Sequence, residues 1–200
     1  MIVILCGASA SGKSILEQKL KEDAGFQKII SCTTRDMREN ESNGRDYHFM
    51  SKTKFEQLID NHDFAEFTLY SKGRYYGTLV EDIIKAAEST QNYVMVLTPS
   101  GMRAIQNLIS KDGLLTVYID APLKDRVIRY IERCGKDFGF EDFDEIHSRV
   151  NRDFGMFAGI EKEVDLVYEN KGKDLSTISN IMQDILEKLN EKEHEVNLER

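Results

Sequence analysis

The chain has 200 residues, 40% hydrophobic and 31% charged, with a net charge of −8 and a mean hydropathy of −0.45. That is enough apolar material for the core of one domain, but no apolar stretch reaches membrane-spanning length, and the acidic balance argues against a broad nucleic-acid surface. Cys6, Cys32 and Cys134 have no metal-ligand spacing and read as free thiols; with no leader pattern after Met1, a cytoplasmic protein is expected.

In chain order, the first element is the apolar run Ile2–Cys6, a strand expected to be buried on both faces and central in a parallel sheet. Gly7, Ala8, Ser9, Ala10, Ser11 and Gly12 follow it directly, before a helix opened by Lys13, Ser14, Ile15 and Leu16. Strand, glycine-bounded loop and helix N-terminus make a phosphate-binding loop in its proper setting. The glycines let successive N–H groups turn inward toward phosphate oxygens. Lys13 adds a point charge for the outer phosphates, the Ser14 hydroxyl is placed to ligate Mg²⁺, and the helix dipole reinforces both. The ligand implied is a nucleoside polyphosphate.

The first helix is expected over residues 14–23. Residues 28–51 then carry strand-like runs at 28–32 and 46–50 around an Arg/Glu/Asn-rich loop, which suggests a small antiparallel appendage. Inside it, Arg35 and Arg38 offer guanidinium forks that can grip a phosphate, and Tyr47 can donate to the same oxygens. Beyond lie Phe64-Ala65-Glu66-Phe67, an acid among aromatics, and a turn from Lys72 to Thr78 rich in tyrosine and hydroxyl donors. Helical patterns at 79–89, 100–110 and 123–132 alternate with apolar runs at 93–97 and 114–119, the βα rhythm of a parallel sheet. Residues 135–155, rich in Gly, Phe and acids, read as a mobile flap bracketed by arginines. A last strand is expected at 164–168 and a last helix at 175–190, with Ile178, Ile181, Met182, Ile185, Leu186 and Leu189 on its core face. The polar tail after 191 is expected to fray. Arginines cluster at 35–45 and again at 126–152, a distribution suited to small anions held in pockets.

Taken together, these segments resemble the guanylate kinase family. The phosphate-binding loop, the pattern T-T-R-x-x-R-x-x-E-x-x-G-x-D-Y-x-F from Thr33 to Phe49, F-x-E at Phe64 to Glu66 and Y-G-T at Tyr76 to Thr78 occur in the family's order. So do R-x-x-x-R at Arg129 and Arg133 and an ending like V-x-V-x-N-D around Asn170. The resemblance implies a three-layer P-loop α/β core with a central parallel sheet (1–30, 91–130 and 156–200). A β-rich insertion for the nucleoside monophosphate (31–90) and a helical lid (131–155) would complete it. It implies ATP with Mg²⁺ as donor and GMP as acceptor. Arg35, Arg38, Tyr47 and Tyr76 would hold the acceptor phosphate. Glu66, Ser31 and Thr78 would read the purine, since a carboxylate can accept from guanine N1–H and the 2-amino group together. Lys13, Arg133 and Arg149 would surround the migrating phosphoryl group, with Arg129 and Arg152 as weaker candidates. Glu41 is either an orienting partner of the arginines or a surface loop acid, and Arg149 is either a lid contact or a helix-surface residue.

One stretch departs from the family. Where it carries leucine-aspartate-x-aspartate-x-x-glycine, this chain reads Val96-Leu97-Thr98-Pro99-Ser100-Gly101, without either acid. Asp120 is either a substitute near the phosphate-binding loop or a cap for the following turn. Two alternatives to a GMP kinase therefore stand: a kinase with shifted acceptor specificity, and a guanylate-kinase-like binding module without catalysis.

Overall fold

The computed structural model describes residues 1–70, 73–172 and 175–198; Lys72 of the expected turn, and Glu199 and Arg200 of the tail, lie outside them. The chain begins with β1 (Ile2–Cys6), α1 (Lys13–Ala24), β2 (Gln27–Lys28), β3 (Cys32–Thr33) and β4 (His48–Phe49). It continues with α2 (Lys52–Asp60), the strand pair β5 (Phe64–Tyr70) and β6 (Arg74–Leu79), α3 (Val80–Glu88), β7 (Tyr93–Val96) and α4 (Pro99–Leu108). The remainder is β8 (Leu114–Asp120), α5 (Leu123–Cys134), α6 (Phe140–Met156), β9 (Leu166–Glu169) and α7 (Leu175–Leu198).

The core sheet has the order β2-β7-β1-β8-β9, with every pairing parallel and β1 in the middle. Its period-2 geometry explains why β1 is apolar throughout. Val3 and Leu5 enter one cluster with Leu16 and Leu20 of α1 and Ile178, Ile181 and Ile185 of α7. Ile2, Ile4 and Cys6 enter the opposite cluster with Ile83 of α3 and Met102 and Ile105 of α4. Each of these fully buried side chains contributes about 1.5–3 kcal/mol, so two covered faces hold the loop after β1 on a stiff base. The edge strand β9 differs from expectation. Its side chains alternate, with Leu166 and Tyr168 packed on the core and Val167 exposed, because only one face is covered.

A second sheet has the order β4-β3-β6-β5. It corrects the appendage reading in three ways. Gln27 and Lys28 pair with β7 and so belong to the core sheet. β3 and β4 pair parallel, and the expected antiparallel pairing is instead found between β3 and β6 and between β5 and β6. The sheet's long arm is the β5–β6 hairpin, which the aromatic pattern did not announce. Helix α2 was also missed; Ser51 caps it by accepting from Lys54 N–H (3.2 Å), and Phe55 stacks on Phe64 and Tyr75. Within the expected insertion 31–90, Ile83 and Ala86 pack into the core cluster, so α3 faces the core sheet as well.

The stretch read as a flap is mostly the helix α6, joined to α5 by a single turn of 3₁₀ helix, Gly135–Asp137. Asp142 stabilises its start by accepting from Gly139 N–H (3.0 Å). The last helix runs on to Leu198 rather than fraying after 191. Its Lys and Glu residues are good helix formers, and Lys192 Nζ is anchored on the Leu114 carbonyl (2.7 Å).

Candidate active site

The loop after β1 curls because Gly12 adopts φ 111°, a left-handed conformation costly for any other residue. A Cβ there would also collide with the Asn170 side-chain amide, which donates to the Ser11 carbonyl at 2.8 Å. Arg129 is spent on the same scaffold. It donates to the carbonyls of Ala10 (3.2 Å), Asn170 (2.9 Å) and Gly172 (2.6 Å), clamping the loop to the end of β9. Lys13 folds back onto its own loop, with Nζ 2.6 Å from the Gly7 carbonyl and 2.7 Å from that of Ala8. Burial pushes its ammonium down to about 8, against the pull of the Asp153 carboxylate.

Two cavities meet at this loop, sharing Ala10, Lys13, Ser14 and Arg133. One, of about 450 Å³, opens beside Gly12, Ile15, Asn170 and Ile178. The other, of about 360 Å³, runs from Ser9 and Lys13 across to Ser31, Arg38, Tyr47 and Glu66. Ser14 is exposed at their junction. Its hydroxyl suits a Mg²⁺ carried by phosphate oxygens and water, the coordination this ion prefers. Among the described residues, no group of three or more His, Cys, Asp or Glu is placed to hold a metal ion.

The far wall is built by the second sheet. Thr78 lies opposite Glu66, and a register shift between Phe64 and Glu66 marks a bulge at that point. From there Glu66, Thr68 and Tyr70 alternate into the cleft while Phe67 and Leu69 face outward. Thr78 Oγ1 donates to Glu66 Oε1 (2.8 Å) and lies 3.0 Å from Ser31 Oγ, so the three residues form one chain. Burial pushes the Glu66 carboxyl up to about 7 despite the Thr78 bond. The backbone of Gly101 comes so close that a Cβ would lie 2.9 Å from Glu66 Oε2.

Arg35 is buried. It makes a bidentate pair with Glu41 (2.8 Å each) and donates Nε–H to the Tyr76 hydroxyl at 3.1 Å. Glu41 is thus no solvated loop acid, and the two Arg35 bonds hold its carboxyl below the usual carboxylate range. Arg38, 69% exposed, keeps its guanidinium open to the cleft. Tyr47 packs edge-on against Tyr76 (5.7 Å) under the Arg35 guanidinium.

From the helical side, Arg133 and Arg149 both lie over the Tyr130 ring, at 5.1 and 5.8 Å. Arg149 also pairs with Glu145 (2.9 Å). Thr98 and Asp120 have local duties. Thr98 accepts from Gly101 N–H (3.2 Å) as the cap of α4, and Asp120 accepts from Ala121 N–H (2.8 Å) in the turn after β8.

The sequence reading missed three contributors. Tyr130 supports two arginines, Tyr70 lies under Arg152 (4.9 Å), and the buried Asp153 accepts from Ser9 N–H at 2.6 Å. Tyr130 meets Arg133 within one turn of α5, whereas its contact with Arg149, that of Tyr70 with Arg152 and that of Asp153 with Ser9 join distant segments.

A glycine-bounded loop after a central strand, sharing one cleft with an arginine-lined wall on a five-stranded parallel core, is the architecture of the P-loop nucleoside monophosphate kinase class. The sequence profile of guanylate kinase matches residues 1–189. The guanylate kinase of Clostridium tetani is 32% identical over 135 residues, 64% of this chain and 62% of that protein. That of Bartonella quintana is 26% identical over 94% of this chain and 91% of its own length. Among solved structures, guanylate kinase from Anaplasma phagocytophilum superposes with a TM-score of 0.63 at 19% identity, covering 94% of this chain and 84% of that one, a likeness of fold. The chain belongs to the guanylate kinase family. Among the described residues, no helix is long and apolar enough to cross a membrane.

Proposed function

We propose that this protein transfers the terminal phosphoryl group of ATP to GMP, giving ADP and GDP. One observation carries the reading. The loop that suits a donor's phosphates and the Ser31–Thr78–Glu66 chain that suits a guanine edge open into the same cleft, which Arg38 also lines. Guanine offers N1–H and a 2-amino group to Glu66; adenine offers no such pair and would leave the buried acid unsatisfied.

In this reading the donor's adenosine occupies the cavity beside Ile15, Asn170 and Ile178, and its phosphates lie in the loop amides. The acceptor phosphate sits on Arg38 and Tyr47, with Arg35 oriented by Glu41 and Tyr76. An acceptor oxygen then attacks the donor's terminal phosphorus in line as ADP leaves. Such a transition state needs positioning and charge neutralisation more than covalent help. Lys13, released from the Gly7 and Ala8 carbonyls, and Arg133 and Arg149, braced on Tyr130, supply that charge. Mg²⁺ bound with the phosphates would neutralise them further, with the Ser14 hydroxyl as its protein ligand. Residues 31–90 would act as the acceptor arm and 131–155 as a lid that excludes water. Free thiols at Cys6, Cys32 and Cys134 fit a reducing, cytoplasmic setting.

The test is ADP release from ATP and Mg²⁺ against GMP, dGMP, IMP, AMP, UMP and CMP. GMP is expected to be preferred. The end of β7 offers Val96 and Thr98, the latter occupied as the cap of α4, where the family carries acids, which favours a second reading, a shifted acceptor. Turnover only with another monophosphate would establish that reading, and none with any would leave a binding module.

A further inference from the structure

The contact between Asp153 and the phosphate-binding loop is chemically odd. The loop's amides are built for phosphate, yet Ser9 N–H donates to a carboxylate of the chain itself, brought by α6. Around that carboxylate the structure gathers three cations. Arg126 NH1 lies 3.5 Å from Oδ2, Arg152 NH2 lies 3.3 Å from Oδ1, and Lys13 is within electrostatic reach. Three positive charges against one negative leave the site short of anion.

The hydrogen bonding shows the same deficit. Arg126 Nε and Arg152 Nε are buried without a hydrogen-bond acceptor, and Arg126 NH1 faces Asp153 only as an ion pair, without a hydrogen bond. A carboxylate has two oxygens, and buried donors left unpaired are costly. A phosphoryl group offers three oxygens and up to two charges, matching both the spare donors and the spare charge. The location agrees. Ser9, Lys13, Arg152 and Asp153 all line the cleft that reaches Arg38. Arg152 also lies 4.9 Å from the ring of Tyr70, which packs on Tyr76 (5.2 Å) beside Arg35, so it touches the acceptor wall as well.

We infer that Asp153 is an internal stand-in for the donor's terminal phosphate, and that Arg152 and Arg126 are phosphoryl ligands which exchange this carboxylate for the nucleotide. This deepens the kinase reading and rests on it for the identity of the phosphate. Binding of the donor displaces Asp153 from Ser9 N–H, and the two guanidiniums close on the incoming oxygens. Arg152 is then a catalytic residue touching the group in transit, and Asp153 a competitor that the donor must expel.

The two roles predict opposite effects on one probe. Titration calorimetry of the full chain with inorganic tripolyphosphate, and separately with ATP, needs neither GMP nor turnover. Asp153→Asn, which keeps shape and removes charge, is expected to bind both about ten-fold more tightly. Arg152→Gln is expected to bind both about ten-fold more weakly. AMP, which lacks the outer phosphates, should bind all three proteins alike. An ordinary structural ion pair would weaken binding in both variants, or leave it unchanged in both, and either result overturns the inference. Thermal melts check folding; should Asp153→Asn melt early, Asp153→Ser replaces it with the same expectation. A wild type active on GMP whose variants fail this pattern refutes the stand-in alone. Opposite shifts in a chain inactive on every monophosphate would support the stand-in while refuting the kinase reading.

Discussion

The two walls of the cleft, acceptor and donor in the proposed function, are prepared in different ways. The acceptor wall is already assembled from side chains: Arg35 holds Glu41 through two bonds, and Thr78 joins Glu66 to Ser31. The donor wall is built from backbone and is closed on itself, with Lys13 on the Gly7 and Ala8 carbonyls and Asp153 on Ser9 N–H. In the proposed function such a preassembled wall gives selectivity before chemistry, because beyond the exposed Arg38 little ordering remains for the ligand to drive. A donor site satisfied by its own groups must be opened by the nucleotide, so part of the binding energy goes into arming it.

The largest break in this comparison should come from Lys13→Ala. Transfer should fall by about 10³-fold, while GMP, held by the other wall, binds as before. Fluorescence titration with a GMP analogue beside steady-state turnover checks both halves. Next comes Glu66→Ala, expected to weaken GMP about 10²-fold and leave ATP untouched, read by calorimetry with each nucleotide.

The acceptor wall also carries a pH signature. Burial raises the Glu66 carboxyl to about 7, so below that pH it is protonated and presents one acceptor fewer. GMP affinity should therefore fall about ten-fold from pH 8 to pH 6, with a proton released on binding near neutrality. The Glu66→Gln variant should show a flat profile. The smallest effect is expected from Glu41→Gln, which keeps the shape but turns two charged bonds into neutral ones. GMP should weaken about five-fold, roughly 1 kcal/mol. Glu41's folded carboxyl is depressed, so its stabilisation is present above the ordinary carboxylate range and lost as pH falls below it. The variant should lack that component in acid melts.

How much of this was legible in the sequence follows from the same contrast. The donor loop is eight consecutive residues from Gly7 to Ser14, fixed by backbone geometry after a buried strand, so local pattern suffices to find it. The core strands were equally readable because both faces of the sheet are covered; β9, covered on one side, was not read as the edge it is. Arg35, Arg38 and Tyr47 stood out as a phosphate grip from their side chains. The base-reading role of Ser31, Glu66 and Thr78 could be named only through family resemblance, since those three meet through strand register and a bulge that no local period encodes. The β5–β6 hairpin escaped notice because Glu66 and Thr68 face the cleft while Phe67 and Leu69 face outward, reversing the usual polar-out signal. Asp153 was invisible for a simpler reason. A helical acid contacting a loop 144 residues away in sequence leaves no trace in either neighbourhood.

The most direct test of facing donor and acceptor sites is the affinity of one molecule that fills both, adenosine and guanosine joined through their 5′ oxygens by five phosphates. The account predicts binding at least about 10²-fold tighter than ATP or GMP alone, weakened by Lys13→Ala and by Glu66→Ala alike. Binding no tighter than ATP, and indifferent to Glu66→Ala, would contradict it.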